Sequence, residues 1–155
     1  MNVEELSRRI QRLEDVEAVR NLKARYCEAC DDNYNPEAIA SLFVEDAVWD
    51  GGDLLGVYRG REAIRQHMAE VSGRIKFAVH YCALNPRITV EQDVAHAHWY
   101  GLVPMELSSG AAVWFACTYD DTLVKSGGEW LFKTVNVRGL FRTPYDEGWA
   151  KKRFT

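Results

Sequence analysis

An α+β fold is predicted by three features of the chain. Apolar residues recur every three or four positions through the opening segment, from Leu6 to Ala29. From Arg74 onward the sequence turns to long stretches rich in Val, Tyr, Phe, Trp and Thr. The turns between those stretches are short enough for hairpins. Helices first and a meander of long strands afterwards place the helices on one side of a mostly antiparallel sheet. Long antiparallel strands twist, so the expected architecture is a cone. Three N-terminal helices pack in a strongly curved sheet that leaves a pocket at its open mouth. With 155 residues the chain has the length of a single domain with one core, spanning 1–155.

The elements follow in order. Leu6, Ile10, Leu13, Val16, Val19, Leu22, Tyr26 and Ala29 form the stripe of one long amphipathic helix. Asp31-Asp32-Asn33-Tyr34-Asn35-Pro36 is turn chemistry, with Asn35 as N-cap and Pro36 in the first turn of a short second helix running to about Phe43. Asp46 to Asp50 and Gly56 to Tyr58 read as short strands around a glycine turn. Ile64, Met68 and Val71 mark a third helix from Arg61. Five strands are then expected: Arg74–Ala83, Arg87–Val90, Val94–Glu106, Ala111–Val124 and Trp130–Phe141. The tail from Thr143 to Thr155, with Trp149 and Phe154, is either a lid over the mouth or a surface helix or frayed terminus.

Composition excludes several function classes. Nineteen basic and 23 acidic residues give a net charge of −4, and the Lys and Arg are dispersed, so no face is built to neutralise nucleic-acid phosphates. Met1-Asn2-Val3-Glu4-Glu5 lacks the basic start and apolar run of a secretory signal, and no stretch has the apolar length of a membrane span. A cytoplasmic protein is expected. Its cysteines, at 27, 30, 82 and 117, are expected to remain free thiols. Cys27-x-x-Cys30 sits at the end of a helical pattern rather than opening one, and no second pair completes a zinc site. Gly51-Gly52-Asp53-Leu54-Leu55-Gly56 lacks the Lys-Ser/Thr ending of a phosphate loop. Ser108-Ser109-Gly110 is a strand connection, not a nucleophile elbow.

One set of segments carries a family resemblance. Glu17-Ala18-Val19-Arg20-Asn21-Leu22-Lys23-Ala24-Arg25-Tyr26 is followed by Cys30-Asp31-Asp32, by Leu42-Phe43-Val44-Glu45-Asp46-Ala47-Val48-Trp49 and by Val79-His80-Tyr81. Together they resemble the SnoaL-like branch of the NTF2-like superfamily, and within it the scytalone dehydratase, hexachlorocyclohexane dehydrochlorinase and bile acid 7α-dehydratase families. The resemblance implies a cofactor-free lyase in which His80 is the general base and Asp31 holds its imidazole. It further implies that Tyr26 assists a carbonyl or a departing hydroxyl, and that Arg138 holds a carbonyl, phenolate or carboxylate. A homo-oligomer, dimer or trimer, is implied as well.

The residues give this reading independent content. Histidine is suited to take and return a proton near neutrality. Strand alternation puts Ala78, His80 and Cys82 on one face and Phe77, Val79 and Tyr81 on the other. Five residues of helix turn through about 500°, so Tyr26 and Asp31 face one pocket only if the helix ends or deforms before Asp31. Trp49, Trp99, Trp114 and Phe141 are the aromatic candidates for substrate contact. Val103 stands where the bile acid dehydratases carry an acidic residue, so a mechanism needing a second carboxylate there is not expected. Ala95, Ala97, Trp99, Gly101 and Val103 read as the inner face of one strand, which sends His96 and His98 outward. His67 has no evident partner. The expected activity is dehydration of a small, largely apolar, cyclic or aromatic substrate. The same base also fits isomerisation, cyclisation or carbon–carbon cleavage. A non-catalytic role, as a binding module or the small subunit of an aromatic-ring dioxygenase, is the remaining alternative.

Overall fold

The opening helix, α1 (Val3–Asp31), is capped by Asn2, whose side chain accepts from the Glu5 amide at 2.8 Å; the computed structural model describes residues 2–154. At 1.5 Å per residue the helix is about 43 Å long, and it outruns the sheet it packs against. The expected stripe is therefore only half used: Leu6, Ile10 and Leu13 are exposed, and burial runs from Asp15 through Val19, Leu22 and Tyr26 to Cys30. The helix does not stop short of Asp31. Its end is closed by amides of the following turn, Tyr34 N donating to Cys30 O and Asn35 N to Ala29 O, both at 2.9 Å. To make that turn Asn33 and Tyr34 take positive φ, 52° and 50°, a conformation that costs a non-glycine residue about 1 kcal/mol or more.

Asn35 then caps α2 (Pro36–Ser41), its side chain accepting from the Ala38 amide at 3.1 Å. Strand β1 (Phe43–Asp50) and β2 (Val57–Arg59) pair antiparallel, and the glycine segment between them holds one helical turn, α3 (Gly52–Leu55). Helix α4 (Arg61–Ser72) buries Ile64, His67 and Met68. The β-rich half supplies β3 (Ile75–Ala78), β4 (Tyr81–Glu91), β5 (Val94–Leu107), β6 (Ala112–Ser126) and β7 (Glu129–Pro144), followed by a short helix α5 (Gly148–Lys151).

The sheet order is β2-β1-β7-β6-β5-β3, with β4 also paired to β5. All pairs are antiparallel except β1 with β7. The β6–β7 hairpin turns on Gly127 and Gly128, both at positive φ, which is what a two-residue turn matched to strand twist requires. Three strands of 14 to 16 residues accumulate enough twist to curl the sheet around α1 and α4. Trp99, Phe43, Phe132, Leu123 and Met68 are buried in the core.

One expected strand is two. The Arg74–Ala83 stretch breaks at Val79-His80, and β3 and β4 pair with different parts of β5. The alternation nevertheless holds across the break: Cys82 is buried, whereas Phe77 and Tyr81 are exposed.

Within β5 the backbone approaches its neighbours closely at Gly101. A Cβ there would lie 2.8 Å from Cys117 Sγ and 3.1 Å from Cys82 Sγ. All four thiols are buried. Contact with Cys117 and burial push the Cys82 thiol up to about 12, so the Cys82 sulfur serves as a packing atom. Gly101→Ala is expected to overpack this point and to lower stability by about 1–3 kcal/mol, read as a shifted urea midpoint with an unchanged slope.

Candidate active site

A cavity of about 300 Å³ opens between α4, the α1–α2 turn and the concave sheet face. Val103, Met105, Phe115 and Val137 form apolar wall, Tyr26, Tyr34, Tyr58 and Tyr119 supply hydroxyls, and Arg74 and Arg142 contribute charge. Its titratable nitrogens of near-neutral type are those of His67 and His80, and among the described residues no Asp, Glu or Cys lines it. A proton acceptor in this space must therefore be an imidazole.

His80 is held from both sides. Its Nδ1 lies 2.8 Å from Asp31 Oδ1, and its backbone N–H donates to the same oxygen at 2.8 Å. This second bond explains the strand break: the amide that would extend the ladder is turned to the end of α1 instead. A carboxylate oxygen facing Nδ1 requires the proton there, which leaves the Nε2 lone pair directed away from Asp31. Tyr34 Oη lies 2.8 Å from Nε2 and so donates to it, its ring edge-on to the imidazole at 81° with centroids 5.0 Å apart. Burial pushes the Tyr34 phenol well up, so the hydroxyl keeps its proton. The His80 side chain is 5% exposed and that of Asp31 is 37% exposed: the imidazole is inside, and the carboxylate stands behind it at the protein surface.

Tyr26 and Asp31 thus occupy different faces of an unbroken helix, as 140° of separation demands. Tyr26 reaches the cavity directly, and Asp31 reaches it through His80. The Tyr26 hydroxyl accepts from Trp49 Nε1 at 3.0 Å, and burial pushes the phenol well up. Trp49 lines the cavity. His67 lies against Trp49, with centroids 5.1 Å apart, and stacks on Tyr58 at 3.7 Å and 14°.

Four residues expected to contact substrate lie elsewhere. Trp99 points inward but at the closed end, beneath α1, where its ring is 5.8 Å from the Lys23 ammonium. Trp114 alternates with the inward Val113 and Phe115 and takes the outer face, opposite Pro104 and Thr143. Phe141 and Arg138 are displaced by one feature of β7. Cys117 pairs with Gly139 but Ala116 with Phe141, so Leu140 is an extra residue that reverses the inside–outside parity beyond it. Phe141 consequently faces Trp149 of α5, at 5.2 Å. Arg142, opposite Phe115, enters the cavity. Arg138 lies before the bulge, next to the inward Val137, and turns outward to Asp50 Oδ1 at 3.0 Å. Among the described residues none after Arg142 lines the cavity.

Tyr34 is one of several cavity residues that sequence reasoning missed, with His67 and Arg142 among the others, and it was hidden in a turn read only for its Asp and Asn chemistry. A bulky aromatic beside Asp31 in that turn was the available signal. On the outer sheet face His98 Nδ1 meets Asp120 Oδ1 at 2.7 Å, and Thr122 Oγ1 lies 3.4 Å from His96 Nδ1. Among the described residues no three His, Cys, Asp or Glu side chains are grouped to hold a metal ion, and no helix is long and apolar enough to cross a membrane.

Comparison with known proteins agrees with this architecture. No match is found among curated proteins. Among solved structures, a candidate scytalone dehydratase from Novosphingobium aromaticivorans superposes with a TM-score of 0.78 at 25% identity, over 86% of this chain and 89% of that one. The hexachlorocyclohexane dehydrochlorinase LinA-type3 from Novosphingobium barchaimii gives 0.79 at 24% identity, over 87% and 92%. An NTF2-like protein with a cystatin-like fold, also from N. aromaticivorans, gives 0.71 at 25%, over 97% and 94%. The SnoaL-like domain model matches residues 11–136, the part of the chain that holds most of α1, Asp31, Tyr34, His80 and all but the end of the sheet, and the chain belongs to that family.

Proposed function

We propose that the protein is a cofactor-independent lyase that eliminates water from a small, largely apolar, cyclic or aromatic substrate, with His80 as general base. The observation that carries this is a carboxylate-held imidazole: His80, its Nδ1 fixed by Asp31, in a space where no described residue supplies a carboxylate. The names of two similar structures, a candidate scytalone dehydratase and a hexachlorocyclohexane dehydrochlorinase, denote eliminations, which a base and an apolar cavity also fit.

The chemistry closes without a further reagent. Nε2 takes a proton from a carbon next to a carbonyl, and the electron pair moves onto the carbonyl oxygen. Collapse of that enolate forms the carbon–carbon double bond and expels the β-hydroxyl. The departing oxygen takes the Tyr34 proton, and the His80 imidazolium returns a proton to Tyr34 across their 2.8 Å contact, so water is the product and the protein is unchanged. Asp31 stabilises the imidazolium in between. Tyr26, with a phenol that burial keeps protonated, assists the carbonyl or the leaving group.

The test is a panel of cyclic β-hydroxy-ketones and halogenated cyclohexanes incubated with wild type and His80→Ala, with products identified by mass spectrometry. Elimination by wild type and none by the variant supports the reading. Equal conversion by both contradicts it. Deuterium uptake from heavy water without elimination would reassign the same base to isomerisation.

A further inference from the structure

We infer that His67 is a second substrate-contacting imidazole, a hydrogen-bond donor to the oxygen on which negative charge gathers when His80 takes the carbon-bound proton. The inference rests on the lyase reading above and adds a residue to it.

Three observations place His67 in that role. First, it lines the cavity from α4, a different element from the α1–β4 region that carries the base. Second, its ring is fixed in orientation without any hydrogen bond. Tyr58 stacks on it at 3.7 Å, nearly parallel, and Trp49 lies against it at 5.1 Å. The glycine segment reinforces this clamp by close approach. A Cβ on Gly51 would lie 2.7 Å from the Trp49 ring, and one on Gly56 would lie 2.9 Å from Tyr58 Oη. Third, the imidazole edge is unspent. Among the described residues no protein group hydrogen-bonds either His67 ring nitrogen, and neither is one of the sealed, partnerless polar atoms of the core, which are Trp99 Nε1 and Asp121 Oδ1. A ring held by packing alone, with its polar edge open on a cavity, is arranged for what fills that cavity.

The two imidazoles are set up differently. His80 has a carboxylate on Nδ1, which prepares it to accept a proton. His67 has aromatic faces and no carboxylate in contact. Burial is the main influence on its imidazole and pushes it down, with Glu70 pulling up and Arg74 pushing down. A neutral imidazole keeps one N–H donor and parts with that proton reluctantly, which suits hydrogen-bonding an enolate without being consumed by it. Tyr26 is the neighbouring hydroxyl: it and His67 both lie against Trp49, through Nε1 and through the ring. The substrate class narrows accordingly, to carbonyl compounds or phenols whose oxygen reaches the Tyr26–Trp49–His67 wall while the acidic carbon faces His80.

The test uses 4-nitrophenolate as a stable mimic of the enolate and 4-nitrotoluene as its uncharged counterpart. Binding is measured for wild type, His67→Phe, His67→Gln and His80→Ala, each checked for native near-ultraviolet circular dichroism. Wild type is expected to prefer the phenolate. His67→Phe should reduce that preference about tenfold to a hundredfold, the worth of a hydrogen bond to a charged oxygen, and His67→Gln, which keeps a donor, should restore part of it. In wild type the nitrogen-15 resonance of the His67 N–H should move on adding the phenolate. An unchanged phenolate-to-toluene ratio in His67→Phe, together with an unmoved resonance, overturns the inference. His80→Ala keeps the two readings apart: full turnover in that variant removes the base assignment, while the binding ratio still decides His67.

Discussion

His80→Ala is expected to lower turnover of an eliminated substrate by about 10²–10⁴-fold with little change in KM, the usual worth of a positioned base. Nothing else in the cavity replaces it. His67 has no carboxylate on its ring, and burial pushes the Tyr26 and Tyr34 phenols well up, so both keep their protons. Variants at Asp31 should then separate two contributions, because a single oxygen takes both the Nδ1 and the backbone N–H of His80. Asn at that position can present its carbonyl oxygen to the same two donors, so Asp31→Asn keeps the geometry and removes only the charge. The loss should be about tenfold, the difference between a charged and a neutral hydrogen bond. Asp31→Ala removes the orienting bond as well and leaves the His80 amide without its acceptor, and should approach His80→Ala. Steady-state kinetics on the three variants checks the order. Equal rates for Asp31→Ala and wild type would show that the carboxylate does not act through His80.

The largest expected effect on stability lies at the closed end of the cone. Lys23 Nζ and Asp121 Oδ2 are 2.8 Å apart, with both side chains fully buried, and the ammonium sits over the Tyr119 ring at 3.5 Å. Burial pushes the Asp121 carboxyl up, and Lys23 opposes that. The pair joins α1 to β6 by side chains and so sets the rotation of the helix that presents Tyr26 and Asp31 further along. Removing one partner leaves an uncompensated charge, at a cost of about 3–5 kcal/mol. Lys23→Met should accordingly lower Tm by roughly 10 °C for a domain of this size. The double variant Lys23→Met/Asp121→Leu should recover most of that loss, since burying an ion pair gains little over burying its apolar isostere. A single variant as stable as wild type would show that the pair contributes nothing.

Local chemistry is where the sequence was most informative. Asn35-Pro36 marks the start of α2 because cap and proline act within a few residues. The Ala95–Val103 alternation assigns the faces of β5, and His96 and His98 lie outside as expected. The pairing of Asp31 with His80 was legible only through family resemblance, since the two are 49 residues apart and meet through a broken strand. What stayed hidden depends on tertiary geometry. A single extra residue at Leu140 decides whether Phe141 or Arg142 enters the cavity, and no local pattern announces it. The apolar stripe of α1 does not reveal that Leu6, Ile10 and Leu13 lie beyond the reach of the sheet. Lys23 reads as a solvated charge until Asp121, 98 residues later, is brought against it.

The nitrogen-15 spectrum of His80, assigned by comparison with His80→Gln and recorded where the ring is neutral, tests the central claim most directly. The claim is that Asp31 holds the proton on Nδ1 so that Nε2, accepting from Tyr34, is the unprotonated nitrogen that acts as base. A protonated Nδ1 with a bare Nε2 is the predicted result, retained in Asp31→Asn and lost or mixed in Asp31→Ala. A ring protonated at Nε2 in the wild type, with Nδ1 bare, would contradict it.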